Sequence, residues 1–228
     1  MNKLIYILNI ETSTTNCSVS LSENGLLIGL KEDNSLQYSH AERLHVYIDE
    51  LLKTANVSKA QIAAIGISKG PGSYTGLRIG VSAAKGLCYA LKIPLISVPT
   101  LASLALQVSS PKGPIVAMLD ARRSEVYSAI FDASYNEIRQ TKAEIITLNL
   151  YNEILKLYPV YFIGSGVTKT QELISHPNAR FIKNKLPSAS QMSKLTYKKF
   201  RANDFEDVAY FEPYYLKDFI AIPSKKQF

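Results

Sequence analysis

The strongest constraint in this sequence is that its second half repeats the layout of its first. Residues 4–10 form a β-rich apolar run that ends in the carboxylate Glu11, and residues 115–119 form another that ends in Asp120. Each carboxylate is followed by a short polar turn, residues 12–16 or 121–124, and then by a strand that alternates. Later in each half an apolar strand, residues 63–68 or Val160–Ile163, runs into a glycine pair and a helical pattern. Corresponding points lie 109 and 94 residues apart, which is a duplication with unequal loops and not a short-period array. The halves, residues 1–109 and 110–228, meet at Ser109-Ser110-Pro111-Lys112-Gly113-Pro114, a linker of turn-forming residues.

Within the first half, residues 4–10, 17–21 and 26–30 read as a meander, with Asn24-Gly25 suited to a type I′ turn. Ser39 and Glu42 form a capping box, and Leu44, Ile48, Leu51, Leu52 and Ala55 recur at helical spacing. Ser58 and Gln61 cap a short turn before strand 63–68. A second long helix is expected over residues 75–91, N-capped by Thr75, followed by a strand at 95–98 and a helix at 100–107. Two meander-plus-βα halves, each with a turn after its first strand and a glycine loop before a helix, describe an α/β protein. The layout is the duplicated ribonuclease-H-like fold of the actin, Hsp70 and sugar-kinase (ASKHA) group, mixed sheets flanked by helices.

At 228 residues with 46% hydrophobic residues, the chain needs no disulfide or metal staple to hold a core. Its longest apolar runs are about half of a membrane span. Cys17 and Cys88 fall in strand and helix interiors and read as buried free thiols, so a cytoplasmic protein without a membrane is expected. The net charge is +7, and residues 180–228 hold ten Lys/Arg against five Asp/Glu. Lys194, Lys198, Lys199 and Arg201 fall within about two helical turns, with 194, 198 and 201 on one face. Such a stripe meets an anionic partner, nucleic acid or an acidic protein surface, or is a solvated helix face.

In the ASKHA layout the first turn and the glycine loops face a nucleotide between the halves. Glu11, Thr12 and Ser13 offer a carboxylate and hydroxyls for Mg²⁺ and phosphate; equally, they complete a turn through side-chain-to-backbone bonds. Gly70-Pro71-Gly72-Ser73-Tyr74-Thr75-Gly76 joins a strand to a helix N-terminus, where anions are favoured, yet it is neither a Walker A loop nor a full dinucleotide fingerprint. With Asp120, Gly164 and Gly166 of the second half these residues define a degenerate nucleotide site. No cofactor is required, and a weak ATP or ADP contact is the most this site is expected to make. No catalytic residue and no metal site is expected: His40 and His45 are five residues apart and about 140° apart around a helix, and His176 stands alone.

Six blocks occur together in one order. They are Ile10-Glu11-Thr12-Ser13-Thr14, Ser39-His40-Ala41-Glu42-Arg43-Leu44, the run from Gly70 to Gly80, Val98-Pro99-Thr100-Leu101, the run from Asp120 to Tyr127, and Pro213-Tyr214-Tyr215-Leu216. In this order they resemble the bacterial TsaB (YeaZ) family across nearly the whole chain. The resemblance implies an actin-like fold that has lost catalysis and serves as partner of the threonylcarbamoyl transferase TsaD. With TsaE, these proteins install threonylcarbamoyl on the tRNA adenosine beside the anticodon. It implies pairing through the amino-terminal half, as a homodimer alone or a heterodimer with TsaD, and contact with tRNA through the complex. The pairing surface is expected on the two long helices: Arg43, Leu44, Tyr47, Ile48 and Leu51 on the first, and Leu77, Gly80, Ala83, Ala84 and Leu87 on the second. The small residues of the second helix lower its stability, which close approach of another backbone would offset. Position 11 departs from the family pattern, being Glu where many members have Asp; the Glu form resembles the catalytic paralogue. The rival expectation is an independent nucleotide-dependent phosphotransferase or metal-dependent transferase built on Glu11, the Gly70–Gly76 loop and Asp120.

Overall fold

Residues 7–10 are apolar on both faces apart from Asn9, so they suit a strand covered on both sides. In the computed structural model, which describes residues 4–34 and 40–217, they lie in β1 (Tyr6–Glu11), the centre of the first sheet. β2 (Cys17–Glu23) pairs antiparallel with β1, and β3 (Leu26–Asp33) antiparallel with β2 across a turn in which Asn24 and Gly25 both have positive φ. After α1 (His40–Thr54), β4 (Ile62–Gly70) returns parallel to β1. α2 (Tyr74–Leu91) then leads to β5 (Leu95–Pro99), parallel to β4, and the sheet order is β3-β2-β1-β4-β5. Ser39, expected to cap α1, lies outside the described residues. The short turn at Lys59–Gln61 is held as expected, Ser58 N–H donating to Gln61 Oε1 at 2.8 Å.

The cap of α2 is Ser73 and not Thr75. Ser73 is extended and its hydroxyl accepts from Gly76 N–H at 3.3 Å, so the helix starts within the glycine loop and Thr75 stands exposed in the first turn.

After α3 (Thr100–Ala105) the pattern repeats in β6 (Ile115–Asp120), β7 (Glu125–Phe131) and β8 (Glu137–Ile145), then α4 (Asn152–Leu157), β9 (Val160–Ile163), α5 (Val167–Leu173) and β10 (Ala179–Ile182). The second sheet has the order β10-β9-β6-β7-β8, the same topology as the first. α1 and α2 cover the outer face of the first sheet through Leu44, Ile48, Leu51, Val81 and Ala84. α4 and α5 do the same for the second through Leu155 and Val167. α3 lies between the sheets, Leu101 and Leu104 packing on Ile115, Ala117 and Ile163. The result is the layered ASKHA arrangement.

The segment after β10 goes back to the first sheet. Leu186 O accepts from Gln107 Nε2 at 2.6 Å, and Ala189 exchanges hydrogen bonds with Ser18 and Ser20 of β2. α6 (Met192–Arg201) then places Tyr197 and Phe200 on Ile7, Ala64 and Ile96, and Met192 on Val98. The reason is that α1 and α2 cover just one face of the first sheet, and the other needs a lid. Residues 115–182 thus hold the second sheet, while 187–217, counted by sequence with the second half, complete the first.

Candidate functional site

β1 delivers Glu11 to the end of the sheet beside Thr12 and Ser13, and all three are buried. Glu11 Oε1 accepts from Ser13 N–H at 2.6 Å and from the Ser68 hydroxyl at 2.9 Å; Oε2 has no protein partner, nor has Ser13 Oγ. Burial pushes the Glu11 carboxyl above its usual range, opposed by these hydrogen bonds.

The glycine loop and α2 close over this turn from the same chain. Thr12 Oγ1 donates to Gly76 O at 2.8 Å, and Ser73 N–H to Ser13 O at 2.6 Å. A Cβ on Gly72 would press into Ser13, and one on Gly76 or Gly80 into Thr12, all far inside van der Waals contact. Gly72 and Gly76 are therefore required by backbone packing on the first turn, and Gly80 by the Thr12 side chain. Several of the loop's donors are also used at home: Gly70 N–H goes to Thr100 Oγ1, Gly76 N–H to Ser73 Oγ and Leu77 N–H to Ser73 O. In the second half, Asp120 is ion-paired with Lys169 at 2.7 Å and accepts from Arg122 N–H. A Cβ on Gly164 would strike Met118 O, and one on Gly166 Val126, so these glycines too serve the strand-to-helix turn.

The helix residues expected at a pairing surface divide. Leu44, Ile48, Leu51, Leu77, Gly80 and Ala84 are buried inside the chain, the leucines and Ile48 in its core and Gly80 against Thr12 and Ile67. Periodicity shows that a stripe is covered, and here the cover is the chain's own sheet. Arg43 is exposed and ion-paired with Asp33, with Tyr47 beside it. Ala83 and Leu87 do reach an open groove of about 620 Å³ between α1 and α2, whose other walls are Ala41, His45, Arg78, Ile79, Ser82 and Gly86. Gly86 has open space where a Cβ would stand, and Tyr89 beyond it is 84% exposed. His40 is buried, its Nε2 on Thr14 O at 2.7 Å, while His45 faces the groove; burial lowers the His40 pKa. Among the described residues, no three His, Cys, Asp or Glu side chains converge as metal ligands. The thiols of Cys17 and Cys88 are buried and pushed up to about 11 and about 12.

Sequence reasoning missed the clasp over the loop. Tyr214 N–H donates to Lys69 O at 2.7 Å, and Gly70 leaves room for Tyr214 O. Arg78 sits over the Tyr74 ring and donates to Tyr215 OH at 3.2 Å; Lys217 reaches across to Glu125 of the second half. The signal was the tyrosine pair in Pro213-Tyr214-Tyr215-Leu216, whose partners lie far away in sequence.

Residues 34–221 match the family model described as TsaD: tRNA N6-adenosine threonylcarbamoyltransferase. The chain is 31% identical over 171 residues to the tRNA threonylcarbamoyladenosine biosynthesis protein TsaB of Bacillus subtilis, 74% of either chain being covered. The chain belongs to the TsaB family. TsaB of Escherichia coli is 29% identical over 231 residues, covering 96% of this chain and 99% of that one. YeaZ from Pseudomonas aeruginosa superposes with a TM-score of 0.78 at 24% identity, over 93% of this chain and all of that structure. TsaB proteins and the TsaD family model thus both match this chain over most of its length.

Proposed function

We propose that this protein acts in tRNA threonylcarbamoyladenosine biosynthesis as a non-catalytic subunit that pairs with TsaD and makes it competent. The observation that carries this is the occupied site: Glu11 is buried beneath a glycine loop that closes on the first turn through Ser73 N–H and Thr12 Oγ1, and Asp120 is ion-paired with Lys169. An actin-type phosphotransferase needs carboxylates free to hold Mg²⁺ and a positioned group for the attacking nucleophile. These residues do not fit a triphosphate and its metal, and a weak ATP or ADP contact is the most they support. The open face of α1 and α2 around the groove is the surface that pairs with TsaD, or with a second copy in its absence. TsaE joins the complex, and tRNA is met through it. No helix among the described residues is long and apolar enough to cross a membrane, in keeping with work on tRNA in the cytoplasm.

The test is reconstitution with TsaD and TsaE from the same cell. Threonylcarbamoyl transfer to tRNA should require this subunit, which alone should turn over no ATP. Robust turnover by the purified chain, abolished in Glu11→Gln, overturns the reading in favour of the independent enzyme.

A further inference from the structure

The two sheets share a topology but treat their free edges differently. β8, the edge of the second sheet, carries Glu137, Arg139, Lys142 and Glu144 among its apolar residues, the charged pattern that keeps an edge from pairing. β3, the edge of the first, opens with Leu26, Leu27, Ile28, Gly29 and Leu30, exposed at 67%, 45%, 44% and 36% for its four large side chains. The register with β2 shifts at Ile28, and from Gly29 to Asp33 the pairing is regular. Among the described residues, no main-chain group outside β2 bonds to this strand.

Beside this edge stands a row of cations. Tyr197 of α6 lies against Gly25 at the β2–β3 turn. Lys194 and Arg201 are three residues before and four after Tyr197, so they share its side of the helix, and Lys198 follows; all three are exposed. Lys199, grouped with them by sequence, is spent on Ser97 O and Asp204. Leu27 and Leu30 oppose Ser22 and Ser20, and Ser20 bonds Ala189 just ahead of α6, so the apolar side chains and the cations border one sheet face.

We infer that β3 and α6 form a docking site for an extended, acidic segment of a protein partner, which adds a strand along β3. Its apolar side chains pack on Leu27 and Leu30 and its carboxylates meet Lys194, Lys198 and Arg201. Two observations choose this occupant. A second copy added along β3 would bring two basic rows to the same sheet face, where like charges repel. A nucleic acid would use the cations but leave four exposed apolar side chains wet. Strand addition gives affinity through main-chain bonds and specificity through alternate side chains. The site lies away from the α1–α2 groove and does not depend on pairing with TsaD.

The test uses a synthetic peptide of about twelve residues in which Val and Glu take turns at every second position with Thr between them, so that both reach one sheet face, with a matching Val–Lys peptide and bulk tRNA as comparison arms, on the full chain. The Val–Glu peptide should bind saturably, more weakly as salt rises, and slow amide exchange in residues 29–33. Leu27→Lys, and separately the Lys194→Ser, Lys198→Ser, Arg201→Ser triple variant, should weaken it at least about tenfold with unchanged melting. If Leu27→Lys melts early, Leu27→Ser takes its place. No saturable binding, or binding indifferent to both changes, overturns the proposal. So does tRNA that protects the same amides and displaces the peptide, or a dimer in sedimentation that Leu27→Lys dissolves, since each installs a different occupant.

Discussion

Glu11 is a carboxylate at a strand end with one oxygen bonded and the other unpartnered, and its behaviour with pH separates a structural role from a catalytic one. Because burial raises its folded-state pKa, the folded chain holds this proton more tightly than the unfolded chain does. The stability linked to it is present in full below the unfolded carboxylate pKa and is lost as pH rises through the folded value. Glu11→Gln removes that dependence while keeping an oxygen for Ser13 N–H and Ser68. Thermal melts across a pH series should therefore show the variant gaining on the native chain from acid toward neutral pH and converging with it in acid. A constant offset at every pH would mean Glu11 is not the titrating group. The position of Glu11 after an apolar run was legible in the sequence. That Thr12 and Ser73 turn inward was not, because spacing places a hydroxyl without naming the partner it bonds.

At the scale of the element, α2 shows where periodicity stops being informative. Its glycines and alanines were visible as a small-residue spine, and the inference that a backbone lies close was sound. At Gly76 that backbone is the chain's own Thr12, and at Gly80 the neighbour is the Thr12 side chain, both brought there by tertiary packing that no local pattern encodes. The same holds for α1, where Leu44, Ile48 and Leu51 form a helical stripe that covers the first sheet. Gly80→Ala should lower monomer stability by about 1–3 kcal/mol, an overpacking cost, and show it in unfolding of the isolated chain. Gly86→Ala, with open space around its Cβ, should raise stability by about 0.5–1 kcal/mol through helix propensity alone. Gly86→Arg should leave melting nearly unchanged but fill the groove lined by Ala83 and Leu87, and so abolish co-purification with TsaD. Retained pairing in that variant would move the partner surface off the α1–α2 face.

At the scale of the whole molecule, the duplication was readable because strand, carboxylate, turn and glycine loop recur in order, and both sheets have the topology this implies. What could not be read was which sheet the last helix covers, since an amphipathic helix has the same pattern over either. α6 belongs to the first sheet, held by Tyr197 and Phe200 on Ile7, Ala64 and Ile96 and by a polar seam in which Ser18 and Ser188 bond to each other and to Glu32, and Ser18 and Ser20 bond to Ala189. A chain truncated after Leu186 keeps every strand of both sheets, so if the tail were an appendage it would melt like the full protein. Removal instead exposes Ile7, Ala64, Ile96 and Val98, and fully uncovering each large aliphatic side chain costs about 1.5–3 kcal/mol. That sum is comparable with the whole stability of a domain of this size. The truncated chain should bind a hydrophobic dye and lose amide protection in β1, β4 and β5 while β6, β7 and β9 stay protected by α3, α4 and α5. A peptide of residues 187–217 added in trans should restore the protection, because Leu186 and Gln107 already lie in contact and the peptide's seat is built by the first half. Equal loss of protection in both sheets would show that the two halves unfold as one unit.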